Sequence, residues 1–135
     1  MKTILALLFL ISSSASADRC LSYHGTTTIR GILSKHTFPE QPNYESIAKG
    51  DAAATYFFVT PHKPFCVAPG DLANDEMGEN HIPTVQLVFS LDNLGYKSLR
   101  PLLGRTVVCQ GNFYHAMSGH HHSLVLLGTA SCHAG

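Results

Sequence analysis

Cys109 and Cys132 lie in two runs of alternating apolar and polar residues, and the point midway between them falls on His120 and His121. Alternation of this kind marks half-buried strands, and two such runs joined by a bend make a hairpin. The spacing therefore predicts a β-ribbon cross-linked between its arms, with Gly119-His120-His121-His122-Ser123 at its tip. The chain has four cysteines, all downstream of an export-type leader, and an even number in that setting reads as two disulfides. Pairing Cys109 with Cys132 leaves Cys20 for Cys66 by elimination. That second bridge ties the start of the mature chain to Pro64-Phe65-Cys66-Val67 and closes a long loop, worth about 3 to 4 kcal/mol in the chain-entropy model.

The leader consists of Lys2, an apolar run from Ile4 to Ile11 and small residues ending Ala15-Ser16-Ala17, the pattern of a signal peptide over residues 1–17. Its apolar run is shorter than the roughly 20 residues a bilayer demands. Cys20 follows Asp18 and Arg19 rather than a small-residue box, so neither a membrane nor a lipid anchor is expected after processing. A secreted or periplasmic location follows. Residues 18–135 are of the usual size for one domain with a modest core. Basic and acidic side chains number nine each, and removing Lys2 leaves one more acid than base, which argues against a nucleic-acid partner.

Period-two patterning dominates the mature chain. Strands are expected from Thr27 to Lys35, with Ile29, Gly31 and Leu33 on one face; from Thr55 to Thr60, apolar on both faces; and from Thr84 to Ser90. Asp92-Asn93 can cap a short helix through Leu99 that stops before Pro101, and Leu103-Gly104 turns the chain into a fourth strand, Thr106 to Tyr114. The fifth runs from Leu124 to Ser131. Five strands with one short helix between the third and fourth describe an all-β, OB-like Greek-key barrel, the small barrel that binds oligonucleotides or oligosaccharides. Gly31 and Gly111, inside strand patterns, fit the bends such a barrel needs. A β-sandwich, the runner-up, requires about seven strands.

Between the first two strands lies a long connection, Phe38 to Ala54, in which Asn43 can cap a helical turn through Lys49. In an OB-like barrel this loop and the one between strands four and five flank the usual binding face. Tyr44 and Glu45 are then expected to converge with the histidines at the barrel mouth. Cys20-Leu21-Ser22-Tyr23, Phe38-Pro39, Pro42-Asn43-Tyr44-Glu45-Ser46-Ile47, Gly50-Asp51, Pro64-Phe65-Cys66-Val67, Val85-Gln86-Leu87, Pro101-Leu102-Leu103-Gly104-Arg105 and Gly119-His120-His121-His122 stand in this order along the chain. In these segments the chain resembles the domain-of-unknown-function family numbered 4431, found in exported bacterial proteins. Ser118 and Ser123 stand where that family commonly carries threonines, so both hydroxyls remain. The resemblance implies export and a site, with no established activity.

Three adjacent imidazoles can bind metal, hydrogen-bond or take up a proton near neutrality. In an extended strand His120 and His122 share one side while His121 faces the other. A zinc or copper site on His120 and His122 needs completion by His36, His115 or Glu45, since zinc takes four ligands. A purely structural role is the competing reading, in which the rings pin the long loop to the hairpin. The principal expectation is a binding module without a cofactor, taking a glycan, cell-wall fragment or protein partner through Tyr44, Glu45, His120, His121, His122 and Ser123. Catalysis by His120 with Glu45 or Asp51 is a weaker alternative: Ser123 sits in no nucleophile elbow, and disulfides remove the thiols. Asp71, Asp75, Glu76 and Glu79 miss the spacing of a calcium loop and read as solvated. His24, His62 and His81 stand singly, and His133 lies near the terminus.

Overall fold

The computed structural model describes residues 19–89 and 94–135. Seven strands form: β1 (Thr27–Pro39), β2 (Ala53–Pro61), β3 (Phe65–Val67), β4 (Glu79–Ile82), β5 (Val85–Leu87), β6 (Thr106–His115) and β7 (Val125–Ala134), with one helix, α1 (Leu94–Leu99), between β5 and β6. Five of them make one sheet in the order β1-β2-β5-β7-β6, and β6 pairs back onto β1, so the sheet closes on itself. All contacts in the ring are antiparallel except β5 with β7. The all-β class, the five-stranded ring and the short helix between its third and fourth strands agree with expectation. A sandwich is excluded by the single closed sheet.

β3 and β4 pair separately as a two-stranded ribbon that the sequence reading missed. They are three and four residues long, too short for alternation to register. β1 and β2 run further than expected, to Pro39 and from Ala53, which shortens their connection to residues 40–52. The helix ends at Leu99 as anticipated, while its expected caps, Asp92 and Asn93, fall outside the described residues. So does the proposed leader.

Side-chain parity divides the sheet. Ile29, Leu33, Phe57, Val59, Val85, Leu87, Val107, Cys109, Phe113, Val125 and Leu127 point inward and form the core, closed at one side by Leu99 of α1. Phe58, Gln86 and Leu126 are equally buried but stand outside that cluster, on the outer face. They form a transverse row, Phe58 opposite Gln86, Gln86 opposite Leu126 and Leu126 opposite Tyr114. That row explains why β2 reads as apolar on both faces.

Both disulfides form as expected, Cys20–Cys66 and Cys109–Cys132. Cys109 and Cys132 are direct partners across β6 and β7, with Cα atoms 4.1 Å apart. Between them the register slips by one residue: Gln110 faces Ser131 but Asn112 faces Gly128. The extra residue is on β7, around Thr129, whose φ of 49° is left-handed, and inward parity changes there from Leu127 to Ala130. Gly111 lies opposite this bulge, where a Cβ would fall on the Gly128 carbonyl.

At Gly31 the strand β1 passes from pairing with β6 to pairing with β2, touching both. A Cβ there would fall on the Thr60 carbonyl and 2.8 Å from Pro61 Cα. Backbone cannot yield as a flexible side chain can, so Gly31→Ala is expected to lower stability by about 1 to 3 kcal/mol. Urea unfolding of the oxidised protein measures this, and an unchanged midpoint would contradict the close approach.

Candidate functional site

The loop between β6 and β7, residues 116–124, folds back over the outer row rather than standing at the barrel mouth. Gln86, 1 % exposed, holds it there. Its Nε2 donates to the His120 carbonyl at 3.0 Å, and its Oε1 accepts the His122 N–H at 2.7 Å. The Gln86 N–H donates to Ser123 Oγ at 2.9 Å, and that hydroxyl donates to the Val125 carbonyl at 2.7 Å. Ser123 is thus a backbone bracket. Sequence reasoning passed over Gln86; its signal is a polar residue between Val85 and Leu87 in a strand too hydrophobic to be an edge.

The facing loop, 40–52, is organised by Asp51. Its carboxylate accepts from the backbone N–H groups of Asn43 (3.0 Å), Glu45 (2.8 Å) and Ser46 (2.8 Å) and from Asn43 Nδ2 (3.1 Å). Asn43 therefore donates to Asp51 instead of capping a helix, and the helical segment formed is a short 3₁₀ one, Ile47–Lys49, without a side-chain cap. The hydrogen bonds from Ser46 and Glu45, with those of Asn43, outweigh burial and hold the Asp51 carboxyl below its ordinary range. Asp51 consequently serves this loop and makes no contact with His120. Glu45 gives the loop its N–H while its side chain is exposed.

The carboxylate that meets the histidines is Glu40, next after the last residue of β1 and 6 % exposed. Tyr56 Oη donates to its Oε1 at 2.6 Å, His120 Nδ1 contacts its Oε2, and His122 Nε2 lies 3.6 Å from Oε1. Burial alone would raise the Glu40 pKa. Hydrogen bonding from Tyr56 and His120, the His120 charge and the His122 contact together bring it below the ordinary value. Burial and the Glu40 hydrogen bond both push the Tyr56 phenol up, so it remains a donor. Because an ionised carboxylate only accepts, the His120 Nδ1 facing it is a donor, and the ring's other nitrogen is not engaged by Glu40.

The three rings have different surroundings. His122 stacks on Phe38, centroids 3.8 Å apart and planes 3° from parallel, and Tyr56 lies 5.2 Å away; its Nε2 is buried without a hydrogen-bond partner. His121 faces the other way, as alternation implies, with its edge to Tyr114 at 5.5 Å and Nδ1 accepting the Met117 N–H at 2.9 Å. Burial, then the neighbouring His120 and His122, lower its pKa, which suits an acceptor. His120 is half exposed, its side chain 51 % open, and meets the Tyr44 ring edge-on at 5.7 Å. Tyr44, 38 % exposed with φ 58°, packs over Gly119, where a Cβ would come within 3.2 Å of the phenol ring.

Tyr44 and His120 thus converge as anticipated, but on the outer sheet face and around Glu40. Glu40 was legible: continuing the alternation of β1 past Lys35 places His36, Phe38 and Glu40 on one side. His36 packs 5.4 Å from Phe58, and His115 is committed to Glu79, with Nε2 2.7 Å from Oε1. Neither joins His120 and His122. Among the described residues, no group of three or more His, Cys, Asp or Glu is arranged to hold a metal ion.

Residues 84–132 match the family described as Domain of unknown function (DUF4431). The DUF4431 match runs from just before β5 to Cys132, which spans Gln86 and the loop it holds, while β1, β2 and the Glu40 loop lie outside it. No curated protein and no solved structure matches the chain.

Two outcomes follow. Gln86→Leu removes two loop hydrogen bonds and strands their buried backbone partners, an expected loss of about 2 to 4 kcal/mol, with faster hydrogen exchange at the His122 amide. The depressed Asp51 and Glu40 pKa values contribute stability above their unfolded values, 3.8 and 4.5, that is lost as pH falls through the lower folded ones. Urea midpoints should therefore drop on the acid side of about pH 4.5, and Asp51→Asn should flatten that limb.

Proposed function

We propose that the protein is an exported binding module that takes a hydroxyl-rich ligand, a glycan or cell-wall fragment, on the surface formed by Tyr44 and His120. The observation that carries this reading is the buried, ionised Glu40 paired with a histidine whose other edge is exposed beside an exposed tyrosine. A loop clamp needs no such polarity, since Gln86 and the Phe38–His122 stack already hold the hairpin. The Glu40 contact occupies Nδ1 and leaves the other ring nitrogen to meet a ligand hydroxyl, which can both donate and accept. The Tyr44 ring offers the apolar face on which a sugar lies. Two disulfides fit an oxidising compartment, and the leader-like residues 1–17 supply the route.

The Glu40–His120 contact also supports a second reading, general-base catalysis, because a carboxylate behind an imidazole is how a base is oriented. Binding of muropeptides and chito-oligosaccharides to the untagged, oxidised mature protein separates the readings. His120→Ala and Tyr44→Ala are each expected to weaken binding about tenfold or more; Tyr44→Ala should leave the urea midpoint unchanged, as befits an exposed contact, whereas His120→Ala should also lower it because the buried Glu40 loses a partner. Turnover of those fragments, abolished by Glu40→Gln, would establish the catalytic reading. Stoichiometric zinc or copper lost in His120→Ala would replace both with a metal site.

A further inference from the structure

A cavity of about 590 Å³ lies where the start of β1, the end of β2 and the turn into β3 meet, and it shares no residue with the Glu40 site. Its polar rim carries Arg19, Arg30 and Lys63, with His62 and His81, and among the described residues no carboxylate lines it. The chain balances nine basic against nine acidic residues, so this one-sided lining is a local segregation of charge. Several of the described acids are engaged elsewhere: Glu40 and Asp51 in the site above, Glu79 on His115, and Glu76 on the Asp71 N–H. Among the described residues neither Arg19 nor Arg30 is paired with a carboxylate.

The floor is apolar. Leu21, Ile29 and Phe65 line it, and Phe65 stacks on Phe113 with centroids 5.7 Å apart, so this wall is fixed by the core. The rim is fixed as well. Arg19 precedes Cys20, whose bridge to Cys66 anchors it, and Leu21 exchanges backbone hydrogen bonds with Cys66 and Ala68 at 2.8 and 2.9 Å. His62 Nε2 is held by Thr106 Oγ1 at 3.1 Å. His81 lines the cavity with φ 53°, a left-handed conformation that is uncommon for a residue other than glycine and that recurs where side chains are positioned for function.

We infer that this cavity binds a small amphipathic anion, a molecule with one carboxylate or phosphate head joined to an apolar body. Guanidinium groups without internal partners grip such heads in bidentate fashion, and the apolar floor receives the tail. The volume is that of a small-molecule site. A polyanion is disfavoured, because the basic residues ring one cavity and form no stripe.

Calorimetric titration of the oxidised mature protein with decyl phosphate, decanoate, decanol and inorganic phosphate, each below any micelle concentration, tests this. Both amphipathic anions are expected to bind, with decanol and inorganic phosphate each at least about tenfold weaker. Amide shifts should centre on Arg19, Arg30 and His81, leaving His120 unmoved. Arg30→Ala should weaken decyl phosphate about tenfold with an unchanged urea midpoint, and Arg30→Lys should restore part of the affinity. The inference fails if decanol or inorganic phosphate matches decyl phosphate, if Arg30→Ala binds like the parent, or if the shifts map to another surface.

Discussion

The side-chain amide of Gln86 is the interaction on which the upper face of this barrel depends. A loop folded back over a sheet brings its own backbone N–H and C=O groups out of water, and each needs a partner. Gln86 supplies one donor and one acceptor from a single buried group, to His120 and His122, and its main-chain N–H engages Ser123. No apolar residue could do this. Once the backbone is fixed at these points, with His121 N–H closing a turn on the Ser118 carbonyl, His120 and His122 face Glu40 and His121 faces Tyr114. The geometry of the three imidazoles is therefore decided beneath them.

Much of this architecture is legible in the residues. The alternation of Ile29, Leu33, Phe57, Val59, Val107 and Cys109 marks the inner face, and the sequence midpoint of Cys109 and Cys132 locates the bend correctly. Tyr44 with His120 emerges from loop order alone. Glu40 follows only when the alternation of β1 is carried on through Pro39, a residue that by itself reads as the end of a strand. Asp51 was read as an acid–base candidate because its several backbone donors come from a loop conformation that periodicity does not encode. β3 and β4 escaped for a simpler reason: three or four residues carry no detectable period.

Charge is distributed by function more than by composition. A net charge near zero conceals two opposite environments, an acidic centre beneath the histidine loop and a basic rim on the cavity near β3. In the first, a carboxylate is buried against the Tyr56 hydroxyl, which donates to it, and the rings of His120 and His122. In the second, the guanidinium groups of Arg19 and Arg30 are exposed and, among the described residues, have no carboxylate partner. The costs differ accordingly, since withdrawing a charge from water is expensive unless it is fully partnered, whereas an exposed arginine loses little by waiting for a ligand.

The two disulfides divide along the same line. Cys109–Cys132 clamps the arms that carry the histidine loop, and Cys20–Cys66 holds Arg19 and Leu21 against the turn that forms the cavity. In the chain-entropy model, loops of 23 and 46 residues are each worth about 3 to 4 kcal/mol, acting through the unfolded chain wherever the bridges sit. Entropy alone therefore does not choose these positions. What distinguishes them is where they act: Cys20–Cys66 fixes the segment that carries Arg19 against the turn into β3, whereas Cys109–Cys132 joins residues already paired in the β6–β7 ladder and leaves the histidine loop to Gln86.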